Sequence, residues 1–94
     1  MLFEWDEAKS RANLAKHGLD FRAAMLVFDD PAALTMSNDV VDGEQRWLTM
    51  GLVRGVQIVV VVHTDRTRGS DVVTRIISAR RATPGERRAY DRGY

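Results

Sequence analysis

Hydrophobic and polar positions change period along this chain, and the changes mark out helices and strands. Leu2 to Trp5 is a short apolar run and a strand candidate. Asp6 then offers a helix N-cap. Trp5, Ala8, Ala12 and Ala15 recur at helical spacing, while Lys9, Arg11, Asn13 and Lys16 fall elsewhere on the wheel. Gly18 after His17 is a helix stop. A second helix is expected from Asp20, because Phe21, Ala24, Met25 and Phe28 follow the i, i+3, i+4, i+7 stripe. Asp29-Asp30-Pro31 ends it, since the residue before a proline avoids the helical region.

The period then falls to two. Ala32 to Met36 is the first strand of this half, and Ser37-Asn38-Asp39 and Asp42-Gly43 are turn-rich. In Gln45 to Leu52, Arg46, Leu48, Met50 and Leu52 share one face and Gln45, Trp47 and Thr49 the other. Arg54-Gly55 is a tight connection into Val56 to Thr64, so these two strands form a hairpin. A polar loop, Asp65 to Asp71, leads to a strand over Val72 to Arg81. Thr83-Pro84-Gly85-Glu86 combines an N-cap, a proline at the first helical position and a capping-box glutamate, which predicts a last helix over Pro84 to Asp91.

This order predicts an α+β fold in one domain, residues 1–94. Consecutive strands with short connections are antiparallel, giving a sheet of about four strands. The two N-terminal helices cover one face, and a C-terminal helix follows. The other face is left to bind something.

Composition narrows the chemistry. The chain has no cysteine, so it has neither a disulfide framework nor a thiolate metal site. No apolar run is long enough to span a membrane, and Val56 to Val62 reads as a buried strand. Acids stand at the N-terminus where a signal peptide needs basic residues, and a cytoplasmic location is expected. The net charge of +1 conceals an asymmetry: residues 1–43 carry −4 and residues 44–94 carry +5. Of the 14 basic residues 12 are arginine, whose planar fork of donors fits phosphate oxygens. A near-neutral protein with a basic half can bind nucleic acid, because the local field matters more than the sum.

Several groups could carry chemistry. Lys16 and His17 stand at a helix C-terminus, whose partial negative charge favours cations; simple capping is the bland reading. Glu44 and Arg46 sit two apart on a strand and so on one side, as a surface ion pair or as a general base beside a phosphate clamp. His63 and Arg66 lie at the end of the most apolar strand, where a rigid scaffold commonly presents chemistry. Arg75, Arg80 and Arg81 form the densest set. Strict alternation puts Arg75 and Arg81 on one face with Ile77 and Ala79, and Arg80 on the other with Thr74, Ile76 and Ser78. Arg80 could equally pair with Glu86 or Asp6 as a structural residue. His17 and His63 are far apart, so no metal site and no cofactor is expected. Acid–base and electrostatic chemistry remain, and they suit RNA cleavage, where the substrate supplies its own 2′-hydroxyl nucleophile.

Joint motifs extend over nearly the whole chain. Phe3-Glu4-Trp5-Asp6, Lys9, Asn13, Lys16-His17-Gly18, Phe21, Ala24 and Val27-Phe28-Asp29 resemble the opening of BrnT toxins. Gly43-Glu44-Gln45-Arg46 and Gly51 look like the middle of that family. Val61-Val62-His63-Thr64 with Arg66, Arg75-Ile76-Ile77-Ser78-Ala79-Arg80, and Glu86-Arg87 with Tyr90 look like its end. The segment Asp65 to Asp71 departs from the pattern, being longer and more acidic. The resemblance implies a RelE-like fold and a ribonuclease toxin of a bacterial type II toxin–antitoxin pair that arrests translation. It implies a BrnA-type antitoxin, a small DNA-binding protein that masks the toxin and represses the shared operon, so that operator DNA is met only through that partner. On this reading Arg80, His63, Glu44, Arg46 and Arg66 are catalytic candidates, and His17, Lys16, Arg75, Arg81 and Tyr90 substrate-binding candidates. Arg80, Arg46 and His63 are expected around one concave surface. A non-catalytic interaction module of the same fold and a structural domain with self-paired charges are the alternatives.

Overall fold

The computed structural model describes residues 1–93. In chain order the elements are β1 (Leu2–Glu4), α1 (Glu7–His17), α2 (Phe21–Ala24) continuing into a 3-10 turn (Met25–Asp29), β2 (Leu34–Val41), β3 (Glu44–Val53), β4 (Gln57–Arg68), β5 (Asp71–Arg81) and α3 (Pro84–Arg92). The sheet has five strands in the order β1-β5-β4-β3-β2. The expectation of about four strands was one short, because Leu2–Glu4 pairs with β5, and it does so in parallel. The other neighbours are antiparallel, as expected.

Three element boundaries move for physical reasons. The expected turn at Ser37-Asn38-Asp39 is an irregularity inside β2, which runs on to Val41 before the Asp42-Gly43 turn. The expected loop from Asp65 to Asp71 is largely strand. Arg66 pairs with Val73 and Arg68 with Asp71, so only Gly69 and Ser70 turn the chain. The second helix is α only for Phe21–Ala24; the tighter 3-10 turn then rotates Val27 into the core, where it is fully buried.

The core lies between the helices and one sheet face. Leu19, Phe21, Ala24, Val27, Val53, Val59, Val61, Ile76 and Ala79 form it, with Phe3, Trp5 and Phe28 packed at its margin. Gly51 lets the 3-10 turn approach β3, since a Cβ there would stand 2.9 Å from the Val27 carbonyl oxygen. The stripe of Ala8, Ala12 and Ala15 on α1 does not face this core; all three are exposed. Ser10 and Asn13 turn inward instead. Ser10 Oγ accepts from the Phe21 backbone N–H at 2.9 Å. The Asn13 amide donates to the carbonyls of Leu19 (2.7 Å) and Ala79 (2.9 Å) and accepts from Ala79 N–H (3.3 Å). Buried backbone groups must be paired, and here polar side chains of α1 pair them.

Asn13 also closes a sheet edge. β1 covers β5 only at Val73, Thr74 and Arg75. Beyond that point the edge of β5 would be bare, and Asn13 takes the place of a neighbouring strand at Ala79. The C-terminus of α1 is thereby fixed beside the exit of β5.

Candidate functional site

A bulge decides which arginines share a face. Val62 pairs with Ser78 but His63 pairs with Ile76, so Ile77 is an extra residue in β5. Strict alternation breaks there. Ile76 and Ala79, three apart, both enter the core on the helix-covered side. Arg75 and Arg80 therefore lie together on the opposite face, and Arg81 lies on the helix side, which reverses the expected grouping of Arg75 with Arg81. No composition signal marks this position; Ile77 is an ordinary strand residue.

The basic candidates form two separate groups. The first is a cleft of about 510 Å³ at the exit of β5, lined by Lys16, His17, Gly18, Arg80 and Arg81. α1 ends here because Gly18 takes a left-handed conformation (φ 72°) and its N–H bonds the Leu14 carbonyl. The Arg81 guanidinium reaches over Gly18, and its Nε donates to the neutral Gln57 Oε1 at 2.9 Å. Among the described residues neither Lys16 nor Arg81 has a carboxylate partner. Arg80 does: its guanidinium grips Glu86 of α3 bidentately, at 2.7 and 2.9 Å. That pairing pushes the Arg80 pKa up and holds the Glu86 carboxyl at about 2. The lining thus has four cationic or proton-carrying side chains from two segments more than sixty positions apart in sequence.

The second group lies on the face that Arg75 and Arg80 share, but four residue pairs along the ladder. Arg75 pairs with Thr64 and Arg80 with Val60, about 13 Å apart at strand rise. Here three arginines share two carboxylates. Glu4 meets Arg68 at 2.7 Å, Arg75 at 2.9 Å and Arg66 at 4.0 Å. Glu44 takes Arg66 bidentately at 2.8 and 3.2 Å. The hydrogen bond from Arg66, with the fields of Arg46 and Arg75, keeps the Glu44 carboxyl below its ordinary range. Thr64 is fully buried in this face, and its Oγ1 has no hydrogen-bond partner among the described residues.

His63 belongs to neither group. It pairs with Trp47 and faces the helices, buried to 3% exposure, with its ring edge-on to Phe28 at 5.0 Å. Both ring nitrogens are engaged, Nδ1 with Asp65 (3.0 Å) and Nε2 with Thr49 (2.8 Å), and Thr49 continues to Thr35 at 2.8 Å. Burial lowers its pKa, and the opposing pull of Asp65 does not restore it. The expected meeting of Arg80, Arg46 and His63 around one surface therefore does not occur. The residue parity of β4 turns His63 inward, and the length of the ladder separates Arg46 from Arg80.

Tyr90 also stands apart. Its hydroxyl donates to Asp30, which pushes its pKa up to about 12. Burial raises Asp30, but bonds from Leu52 N–H, Tyr90 and Ala32 N–H outweigh it and keep Asp30 ionised at lower pH than usual. Asn13 is the residue that sequence reading missed. Helical period puts it away from the alanine stripe, yet it ties α1 to Leu19 and to Ala79 of β5; its spacing to His17 (i, i+4) is the available signal. Among the described residues no group of three or more histidines and acids is disposed to hold a metal ion, and no helix is long and apolar enough to cross a membrane.

No curated protein matches the chain in sequence. The crystal structure of the Brucella abortus ribonuclease toxin BrnT is similar, with a TM-score of 0.64 and 29% identity over 88% of this chain and 99% of that one. The family model described as the ribonuclease toxin BrnT of type II toxin–antitoxin systems matches residues 5–86, and the chain belongs to that family.

Proposed function

We propose that this chain is a metal-independent endoribonuclease whose substrate phosphate sits in the cleft between α1 and β5. The observation that carries the reading is the convergence of Lys16, His17, Arg80 and Arg81 there. Oriented cations are the chief need of a reaction whose transition state gathers charge on phosphoryl oxygens. Arg80 and Arg81 hold the phosphoryl oxygens of the scissile nucleotide, and Lys16 the neighbouring backbone. The substrate's 2′-oxygen attacks phosphorus and loses its proton, the bond to the 5′-oxygen breaks, and that oxygen takes up a proton. The products are a 2′,3′-cyclic phosphate and a 5′-hydroxyl. His17 is the group in the cleft able to move a proton. His63, buried and doubly bonded, supports β4 rather than touching RNA.

A second reading places the acid–base centre at Glu44 with Arg46, Arg66 and Arg75 as clamps. It is favoured by one observation, a half-exposed carboxylate gripped by Arg66 at 2.8 and 3.2 Å on the face that Arg75 shares. The two readings part on substitution: His17→Ala with Arg81→Ala abolishes cleavage under the first, Glu44→Gln under the second.

The test of the activity is incubation of purified protein with RNA in EDTA. Discrete cleavage is expected, and a 2′-deoxy substitution at the scissile nucleotide abolishes it. Retained cleavage of an all-deoxy substrate, or full loss in EDTA, overturns the mechanism. In the cell, cytoplasmic RNA cleavage inhibits translation. A BrnA-type antitoxin encoded beside the toxin covers the cationic surface with an acidic and apolar segment, and operator DNA is bound only through it. Two toxin–antitoxin pairs join through the antitoxin. Co-expression with the adjacent reading frame restores growth and gives a co-eluting complex. If neither happens, and RNA stays intact, the non-catalytic module is the better description, and a mobility shift with operator DNA then tests it.

A further inference from the structure

We infer that Glu86 is a built-in competitor for the substrate phosphate at Arg80, so that RNA binding requires Arg80 to be handed from a carboxylate to a phosphate. The inference rests on the reading that Arg80 holds a substrate phosphate. Three observations point to it. The Glu86 carboxylate fills both arms of the Arg80 fork, the bidentate geometry that a phosphate would take. The same carboxylate accepts from the Thr83 N–H at 2.8 Å, so it belongs to the N-terminal cap of α3. And no residue of α3 is fully buried, while Tyr90 bonds Asp30 further along the helix.

Releasing Arg80 leaves the Tyr90–Asp30 tie of α3 in place. The carboxylate left behind keeps its place in the capping box, so α3 survives the exchange. The Arg80 side chain is 41% exposed within this pair, so an incoming phosphate reaches it from the solvent side without prior unfolding. The pair also holds Arg80 ready: in the absence of RNA the guanidinium is fixed at the cleft instead of sampling rotamers. Glu86 thus trades affinity for order, and it discriminates against weak anions that cannot displace a bidentate carboxylate.

The experiment uses Glu86→Gln, because glutamine serves a capping box as glutamate does but carries no charge. Binding of a non-cleavable RNA, with 2′-deoxy substitution at the scissile position, is measured by fluorescence anisotropy at fixed salt. Glu86→Gln is expected to bind up to about fivefold tighter than wild type, the range of an exposed ion pair. Thr83→Ala removes the other half of the cap and leaves the carboxylate on Arg80, so it is expected to bind as wild type does. Equal or weaker binding by Glu86→Gln, with its circular dichroism unchanged, overturns the inference: Glu86 would then only position Arg80. Tighter binding by Thr83→Ala overturns it too, since loosening α3 would then be the cause. Arg80→Ala separates this from the parent reading. If the folded Arg80→Ala protein binds RNA like wild type, Arg80 is no phosphate ligand and both fall.

Discussion

Two groups of basic side chains stand on this small protein, and they differ above all in what surrounds them. At the β1 end, Arg66, Arg68 and Arg75 converge on Glu4 and Glu44, and part of the positive field is offset by these carboxylates. At the β5 exit, Lys16 and Arg81 are exposed and, among the described residues, have no carboxylate partner, whereas Arg80 is paired with Glu86. The first group resembles the interior of an ion-pair network; the second resembles a site waiting for an anion. The difference teaches that a cluster of basic residues in a sequence is a site only where the fold withholds the acids. Glu4 reaches its arginines because β1 joins the sheet beside β5. The cleft escapes neutralisation because β1 stops at Glu4 and a helix C-terminus, not an acidic segment, takes the edge beyond.

Four measurements distinguish the two groups. The largest effect is expected from Arg80→Ala combined with Arg81→Ala, a loss of RNA cleavage of about 10²–10³-fold in a protein that remains folded. Glu44→Gln in the other group should change the rate by less than about fivefold; the opposite ranking would move the active centre to the β1 end. Next comes Asn13→Ala. It strands the carbonyls of Leu19 and Ala79 and the N–H of Ala79, and a cost of about 3 kcal/mol in urea unfolding is expected. A loss below about 1 kcal/mol would show that the packing of α1 against β5 does not depend on Asn13.

The third effect is acid sensitivity. The Glu86 carboxyl is held at about 2 in the folded chain, chiefly by Arg80, against 4.5 ordinarily. A lowered carboxyl stabilises the fold above its ordinary value, and the contribution fades as pH falls from about 4.5 towards 2. Solvent screening of a pair whose arginine is 41% exposed leaves about 1 kcal/mol or less of this. His63 adds to the same trend in a higher window. Burial lowers its folded pKa below 6.5, so the unfolded chain takes up the proton first, and stability declines as pH falls below that value. Replacing His63 with glutamine should flatten the curve in the upper window and Glu86→Gln in the lower one, as read by thermal melts against pH. The smallest effect belongs to Glu4→Gln. Unmasking part of the β1-end field should tighten non-specific RNA binding less than about threefold and steepen its salt dependence. An effect larger than that of the cleft arginines would mean the neutralised group is the true RNA surface.

The sequence alone was enough for much of the local structure. Caps at Asp6, Asp20 and Thr83 mark helix starts, and each side chain accepts the backbone N–H it should. Gly18, Asp42-Gly43 and Arg54-Gly55 turn the chain where positive φ is needed. The period-two runs become strands, and the motif order leads to the BrnT family. These features are local: each depends on residues within a few positions. What only the tertiary structure decided depends on partners far away in sequence. The bulge at Ile77 changes which arginines share a face, and it follows from register against β4, not from any property of isoleucine. The inward turn of Ser10 and Asn13 in place of the alanine stripe follows from stranded backbone groups on α2 and β5, which do not exist until those segments are placed. The burial of His63 and the separation of the two arginine groups have the same origin. Period counts positions along a strand, whereas a site is chosen by what the neighbouring strands and helices bring opposite each one.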